Sequence, residues 1–323
     1  MKKIRIGVMG GASIAERLMI PAILSLNEIF ELVAIASRTY DNAQKFKKIF
    51  NIEGIVGYDN LIKRNDIDAI YMPLPTGLHK EWINKAIDAN KHILAEKSLA
   101  MNFKEAQELV NKAKDKKLLL MENFMFRYHS QHKYVFSLLE NIELGDIRLF
   151  RSQFGFPPLN DDNFRYKKDL GGGSLLDAAA YTVRVCQWFL GEKQKLLSAV
   201  LYMKNDIDLY GNAVFINKDD IVSQLSFGFD NYYKCNYEIW GSKGNIVAER
   251  AFTPKEKDNP VIILEKNGNT ERIKMEADNH FVNLLKEFYN SIINDNYSLH
   301  LEDILNQSRM LTDIYENAIK VNI

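Results

Sequence analysis

Gly10-Gly11-Ala12-Ser13-Ile14-Ala15 follows an apolar run, Ile4 to Met9, and opens a segment of helical spacing. Small residues at such a turn let backbone N–H groups close on a pyrophosphate at a helix N-terminus, where the helix dipole and unpaired donors favour anions. Against the pattern G-x-G-x-x-G/A, Gly10 and Ala15 match, and Ala12 takes the place of the middle glycine. A glycine-rich turn without a ligand is the alternative. The second apolar run ends at Ser37-Arg38, with no carboxylate where a fold that selects an unphosphorylated ribose places Asp or Glu. A hydroxyl beside a guanidinium suits a 2′-phosphate, through paired charge-assisted hydrogen bonds. The cofactor these residues predict is therefore NADP(H) rather than NAD(H), with a solvated loop arginine as the alternative reading of Arg38.

Two further turns stand at the ends of apolar runs. Tyr71-Met72 breaks into Pro73-Leu74-Pro75-Thr76-Gly77-Leu78-His79, and Ala95 into Glu96-Lys97-Ser98. Loops at the carboxyl ends of parallel strands form a ligand crevice, so Pro73, Leu74, Thr76, His79, Glu96 and Lys97 are candidates for its lining. His79 fits equally well as a satisfied histidine at a helix start. An ammonium at Lys97 can hold a carbonyl or hydroxyl beside a nicotinamide and stabilise oxyanion character as hydride moves. Downstream, Gly171-Gly172-Gly173 precedes a helical pattern in which Asp177 and Tyr181 stand four residues apart on one face. A phenol with an ordinary pKa of ~10 is protonated at neutral pH and can donate to a developing alkoxide; a core tyrosine is the alternative. Arg127, Asn163 and Arg165 are further polar candidates, either arginine being able to meet a substrate phosphate or to form an interdomain ion pair. His129 and His132 lack the carboxylates and cysteines of a zinc site, and no metal is predicted.

The elements that must position these groups change character along the chain. Up to about Leu120, short apolar runs alternate with helical patterns (Ile14 to Leu26, Asn42 to Phe50, His79 to Ala89, Phe103 to Asp115). That alternation predicts a parallel, doubly wound sheet, because parallel strands need crossover connections. After Glu122 come a helix (Tyr128 to Leu139), a run from Ile147 to Phe156, a polar loop and a second helix (Ser174 to Leu190). Beyond Gly191, successive runs rich in Val, Ile, Tyr and Phe predict an antiparallel sheet, and two helical segments close the chain. The expected division is residues 1–121 as an NADP-binding Rossmann domain and 122–323 as a substrate-binding and oligomerisation domain.

Composition sets the outer limits. A length of 323 residues favours two domains. Forty-two basic side chains balance 42 acidic ones, so no bulk field favours nucleic acid or an anionic membrane, and the expected partners are small molecules. No apolar stretch is long enough to span a bilayer, and Cys186 and Cys235 read as core thiols in a reducing cytoplasm.

Taken in order, the Gly10 to Ala15 turn, Ser37-Arg38, Pro73 to His79, Glu96-Lys97 and Gly171 to Tyr181 resemble the glucose-fructose oxidoreductase/inositol dehydrogenase (Gfo/Idh/MocA) family over nearly the whole chain. Met121 to His129 and Asn163-Phe164-Arg165 look most like its sugar-nucleotide 3-ketoreductase branch. Ser98 stands where the family has proline. The resemblance implies a Rossmann domain followed by an α/β domain with a large open antiparallel sheet. It further implies an NADPH-dependent ketoreductase acting on a nucleotide-linked 3-keto-6-deoxyhexose. In that reading Tyr181 donates the proton, with Lys97 as the alternative donor; Lys97 orients the carbonyl and stabilises the phenolate, and Asp177 binds a sugar hydroxyl. An NADP-linked dehydrogenase of a free sugar, cyclitol or trans-dihydrodiol is the second expectation, and a non-catalytic NADP-binding sensor the third. Because an open sheet face needs covering, a homodimer or homotetramer is expected.

Overall fold

In a computed structural model, which describes residues 2–141 and 143–323, the first apolar runs form six strands: Ile4–Met9 (β1), Phe30–Ser37 (β2), Glu53–Val56 (β3), Ala69–Met72 (β4), His92–Glu96 (β5) and Leu120–Asn123 (β6). All their pairings are parallel, in the order β3-β2-β1-β4-β5-β6. Helices Ile20–Ser25 (α1), Tyr40–Phe50 (α2), Tyr58–Ile62 (α3), Thr76–Asp88 (α4) and Phe103–Asp115 (α5) make the crossovers. The strand order reverses between β1 and β4, which opens a crevice at their carboxyl ends. β4 is buried at every residue and β1 at nearly every one, as central strands covered on both faces must be. Caps fix two of the helices: Thr39 Oγ1 accepts from the Asn42 N–H at the start of α2, and Asn102 Oδ1 from the Glu105 N–H at the start of α5.

The remaining strands are Ile147–Gly155 (β7), Gln194–Lys204 (β8), Ile207–Asn217 (β9), Val222–Gly228 (β10), Lys234–Gly241 (β11), Gly244–Ala248 (β12), Val261–Lys266 (β13), Asn269–Lys274 (β14) and Ile319–Asn322 (β15). They form one nine-stranded sheet, β14-β13-β12-β11-β7-β10-β9-β8-β15. The expected antiparallel sheet is in fact mixed: β7 lies parallel to β10, and the edge strand β15 parallel to β8. Helices Ser130–Glu140 (α6) and Ala180–Leu190 (α7) belong to the same unit, and α7 packs on β7 and β10. One face of the sheet buries Phe150, Phe154, Phe215, Leu225 and Tyr237. The other carries Leu149, Val222 and Trp240 in register and leaves Trp240 52 % exposed.

Two compact units result. One comprises the chain up to Asn123 together with Phe281–Leu305, the other Phe124–His280 together with Asn306–Ile323. A single division near residue 122 omits the return of 281–305 to the first unit, carried by helices His280–Ile293 (α8) and Ser298–Asn317 (α9). Leu301 and Ile304 cause it: both are buried in the apolar core around Ile70, Ile87, Ile93 and Leu109. Among the described residues no helix is long and apolar enough to cross a membrane.

Candidate active site

In the first unit the chemistry-bearing residues gather at the carboxyl ends of the parallel strands. Gly10 adopts φ +121°, a conformation that side chains other than glycine's rarely take, and the turn lies against the Leu74 side chain, whose Cδ2 would stand 2.9 Å from a Cβ there. Ser13 is exposed, with Ala12 and Ile14 partly so. The helix that starts here, at Ser13, is π-wound over Ala15–Met19. An open small-residue turn at a helix start is what a pyrophosphate fits. At the end of β2, Ser37 is buried and Arg38 exposed. The positive charge of Arg38 reaches the hydroxyl of Tyr58, whose pKa burial raises and Arg38 lowers.

The ends of β4, β5 and β6 are braced together. Glu96 Oε1 accepts from the Tyr71 hydroxyl at 2.7 Å and from Asn123 Nδ2 at 2.6 Å. Burial raises the pKa of Glu96, while these donors and the neighbouring Lys97 oppose the rise. Glu122 Oε1 accepts from the Leu99 N–H at 2.8 Å. His79 is fully buried, with Leu74 O 2.9 Å from Nε2 and Ser98 O and Leu99 O 3.1 and 3.0 Å from Nδ1. Its ring thus lies between the loop after β4 and the loop after β5, with backbone carbonyls facing both nitrogens and one N–H of the neutral ring to donate to them. Burial drives its pKa down. Lys97, partly exposed, is carried on the braced loop, and the Lys97–Ser98 peptide bond is cis.

In the second unit the glycine-rich stretch leads into a helix that begins with a π-wound turn, Leu175–Ala179, and continues as α7. Tyr181 is 7 % exposed, with Phe124, Phe126, Phe154 and Phe252 at ring-centroid distances of 6.0, 5.9, 4.9 and 5.6 Å. Asp177 and Arg165, independent candidates in the sequence, form an ion pair: Arg165 Nε donates to Asp177 Oδ2 at 2.6 Å and Nη2 to Oδ1 at 3.4 Å. Burial works against the guanidinium charge, but Asp177, with Tyr181 and Tyr166 assisting, leaves the Arg165 pKa raised. Asn163 Oδ1 accepts from the Arg165 N–H at 3.1 Å and starts the short turn that presents it. Arg127 lies over the Trp188 ring at 5.5 Å. His132 meets the Tyr237 hydroxyl and Ala251 O, each at 3.0 Å, in the core. Asp208 on β9, absent from the sequence candidates, accepts from Ser174 and Leu175 at the start of the same helix. The signal for it was a carboxylate between Ile207 and Leu209 in an apolar strand pattern.

Comparison with known proteins places these units. Residues 4–124 match the family described as "Oxidoreductase family, NAD-binding Rossmann fold", and residues 132–247 match the "GFO/IDH/MocA C-terminal domain". A dTDP-3,4-didehydro-2,6-dideoxy-alpha-D-glucose 3-reductase of Saccharopolyspora spinosa is 42% identical over 279 residues, covering 86% of this chain and 84% of that protein. The enzyme of the same name from Actinomadura kijaniata is 38% identical over 318 residues, covering 98% and 96%. The crystal structure of KijD10, a 3-ketoreductase from Actinomadura kijaniata in complex with NADP and TDP-benzene, superposes over 100% of both chains with a TM-score of 0.96 at 37% identity.

Proposed function

The chain belongs to the Gfo/Idh/MocA oxidoreductase family, and from that premise we propose that it is an NADPH-dependent 3-ketoreductase of a 6-deoxyhexose carried on thymidine diphosphate. The observation that carries this reading is the end-to-end likeness to a 3-ketoreductase that holds NADP and a TDP compound. The Gly10 to Ala15 turn holds the pyrophosphate, Ser37 and Arg38 the 2′-phosphate, and Pro73 to Thr76, Glu96 and Lys97 border the nicotinamide end. Bound NADPH supplies the hydride. Lys97 donates to the ketone oxygen and stabilises the negative charge that develops on it. Tyr181 gives that oxygen its proton, and the aromatic wall around the phenol keeps bulk water away. Asp177 accepts from a sugar hydroxyl, and Arg165 and Arg127 supply positive charge for the diphosphate.

The test is NADPH oxidation, followed by absorbance, against thymidine diphosphate-linked 3-keto- and 4-keto-6-deoxy sugars. Lys97→Ala and Tyr181→Phe are each expected to lower kcat/KM by about 10²–10⁴-fold while leaving NADPH binding nearly unchanged. Silence across the panel, with NADP-dependent oxidation of free sugars, cyclitols or trans-dihydrodiols, replaces this reading with a dehydrogenase. NADPH binding with turnover of neither class leaves a sensor.

The assembly we assign is a homodimer or homotetramer in the cytoplasm. In its support, the nine-stranded sheet leaves Trp240, Leu149 and Val222 partly open on one face, and exposed apolar surface of that kind marks association sites. A monomer mass in light scattering at micromolar concentration would refute it.

A further inference from the structure

Asp208 is 5 % exposed on β9. A carboxylate so placed is costly unless donors meet it. Two do so on one oxygen: Ser174 Oγ at 2.8 Å and the Leu175 N–H at 2.6 Å from Oδ2. Ser174 and Leu175 begin the helix that carries Asp177 and Tyr181, and Gly173, the residue before it, has no side chain with which to cap it. The cap therefore comes from a strand far along the chain, as a negative charge at the positive end of the helix. Gly173 is shaped to this contact. It holds φ +111°, and any Cβ on it would overlap Asp208 Oδ1.

From this anchor the constraint spreads. The Gly173 N–H donates to Arg165 O at 2.9 Å, and the Arg165 side chain grips Asp177. Arg165 is thus fixed at its backbone by the residue beside the Asp208 contact and at its guanidinium by the helix that Asp208 caps. Residues 175–179 are wound as a π-turn, a form that recurs at functional sites and that sets the angular position of every side chain after it.

We propose that Asp208 is the positioning residue for the substrate-binding side of the site: it touches no substrate, and by anchoring the Gly173–Leu175 turn it sets the poses of Asp177, Arg165 and Tyr181. The functional meaning rests on the ketoreductase reading; the anchoring does not. Asn at 208 can still accept both hydrogen bonds through Oδ1, whereas Ala can accept neither.

The experiment compares wild type, Asp208→Asn and Asp208→Ala by amide hydrogen exchange over Leu175–Tyr181 and by steady-state kinetics. Asp208→Ala is expected to speed exchange there at least about tenfold and to raise KM for the keto-sugar about tenfold or more, with KM for NADPH within about twofold of wild type. Asp208→Asn is expected to stay close to wild type in both. Wild-type exchange in Asp208→Ala overturns the proposal, as does an Asp208→Asn variant as impaired as the alanine one. If wild type turns over none of the panel, the ketoreductase reading fails, and exchange alone decides the role of Asp208. If Asp208→Ala does not fold, Ser174→Ala, which removes one donor, must shift exchange and KM in the same direction; no shift overturns the proposal.

Discussion

Arg38 is the side chain proposed to favour the phosphorylated nicotinamide cofactor. Arg38 stands exposed beyond buried Ser37 where a carboxylate would select NAD. Charge-assisted hydrogen bonds contribute about 1.5–3 kcal/mol, so Arg38→Ala is expected to raise KM for NADPH about ten- to hundredfold. NADH kinetics should move by less than about threefold, since NADH lacks the 2′-phosphate proposed as the partner of Arg38. Initial rates with both cofactors check this, and equal changes would make Arg38 a bystander. Individual residues were legible where their type is tied to backbone geometry, as with Gly10, whose turn holds φ +121°. Pairings between distant residues were not. Nothing in the spacing of Arg165 and Asp177 says that they meet, and nothing local to His79 says that three carbonyls from two loops surround it.

At the scale of elements, the start of α6 and the start of α8 bring together His129, His132 and His280, all buried. The His129 and His280 rings lie 5.8 Å apart. Burial, reinforced by the neighbouring imidazoles, pushes His132 and His280 down to about 3; Asp278 opposes this at His280 and the Ala251 carbonyl at His132. Because the folded pKa lies below the unfolded value of 6.5, their stabilising contribution is complete above pH 6.5. It is lost as pH falls toward 3, at about 1.4 kcal/mol per pH unit for each ring. Asp208, which burial pushes up to about 6, has the opposite sign: its contribution is present below about 4 and is lost as pH rises through 6. The net expectation is a loss on the order of 2 kcal/mol between pH 6.5 and 5, the gain at Asp208 offsetting part of the loss at the two rings. Urea midpoints at the two pH values measure it, and His132→Gln should lose roughly half of the histidine part. The same pH slope in both proteins would show that the imidazoles do not govern it.

Elements themselves were legible in proportion to their apolar periodicity. β1, β4, α5 and β11 declare themselves by runs or helical spacing. β14, Asn-Thr-Glu-Arg-Ile-Lys, is an edge strand with one apolar residue, and β15 is exposed at each of its residues, so neither shows the alternation of a half-buried strand. β3 and α3 are too short to display a period. The two parallel pairings in the nine-stranded sheet were hidden because burial patterns reveal faces, not strand direction.

At the scale of the whole molecule, two units were legible because the hydrophobic pattern changes once, after β6. The return of 281–305 to the first unit was not, since an amphipathic helix states that it needs a core without stating which. Lys97 belongs to the first unit and Tyr181 to the second, and the reaction proposed for these residues delivers hydride from NADPH to carbon 3 of a keto-sugar. The most direct test of that claim follows the hydride itself. NADPH deuterated at C4 of the nicotinamide would be incubated with the wild-type chain and a thymidine diphosphate-linked 3-keto-6-deoxy sugar, and the product examined by NMR. Deuterium on carbon 3 of the sugar, accumulating at least about 10²-fold more slowly with Lys97→Ala, is the predicted result. Deuterium at another carbon, or none transferred while NADPH remains bound, would contradict the account.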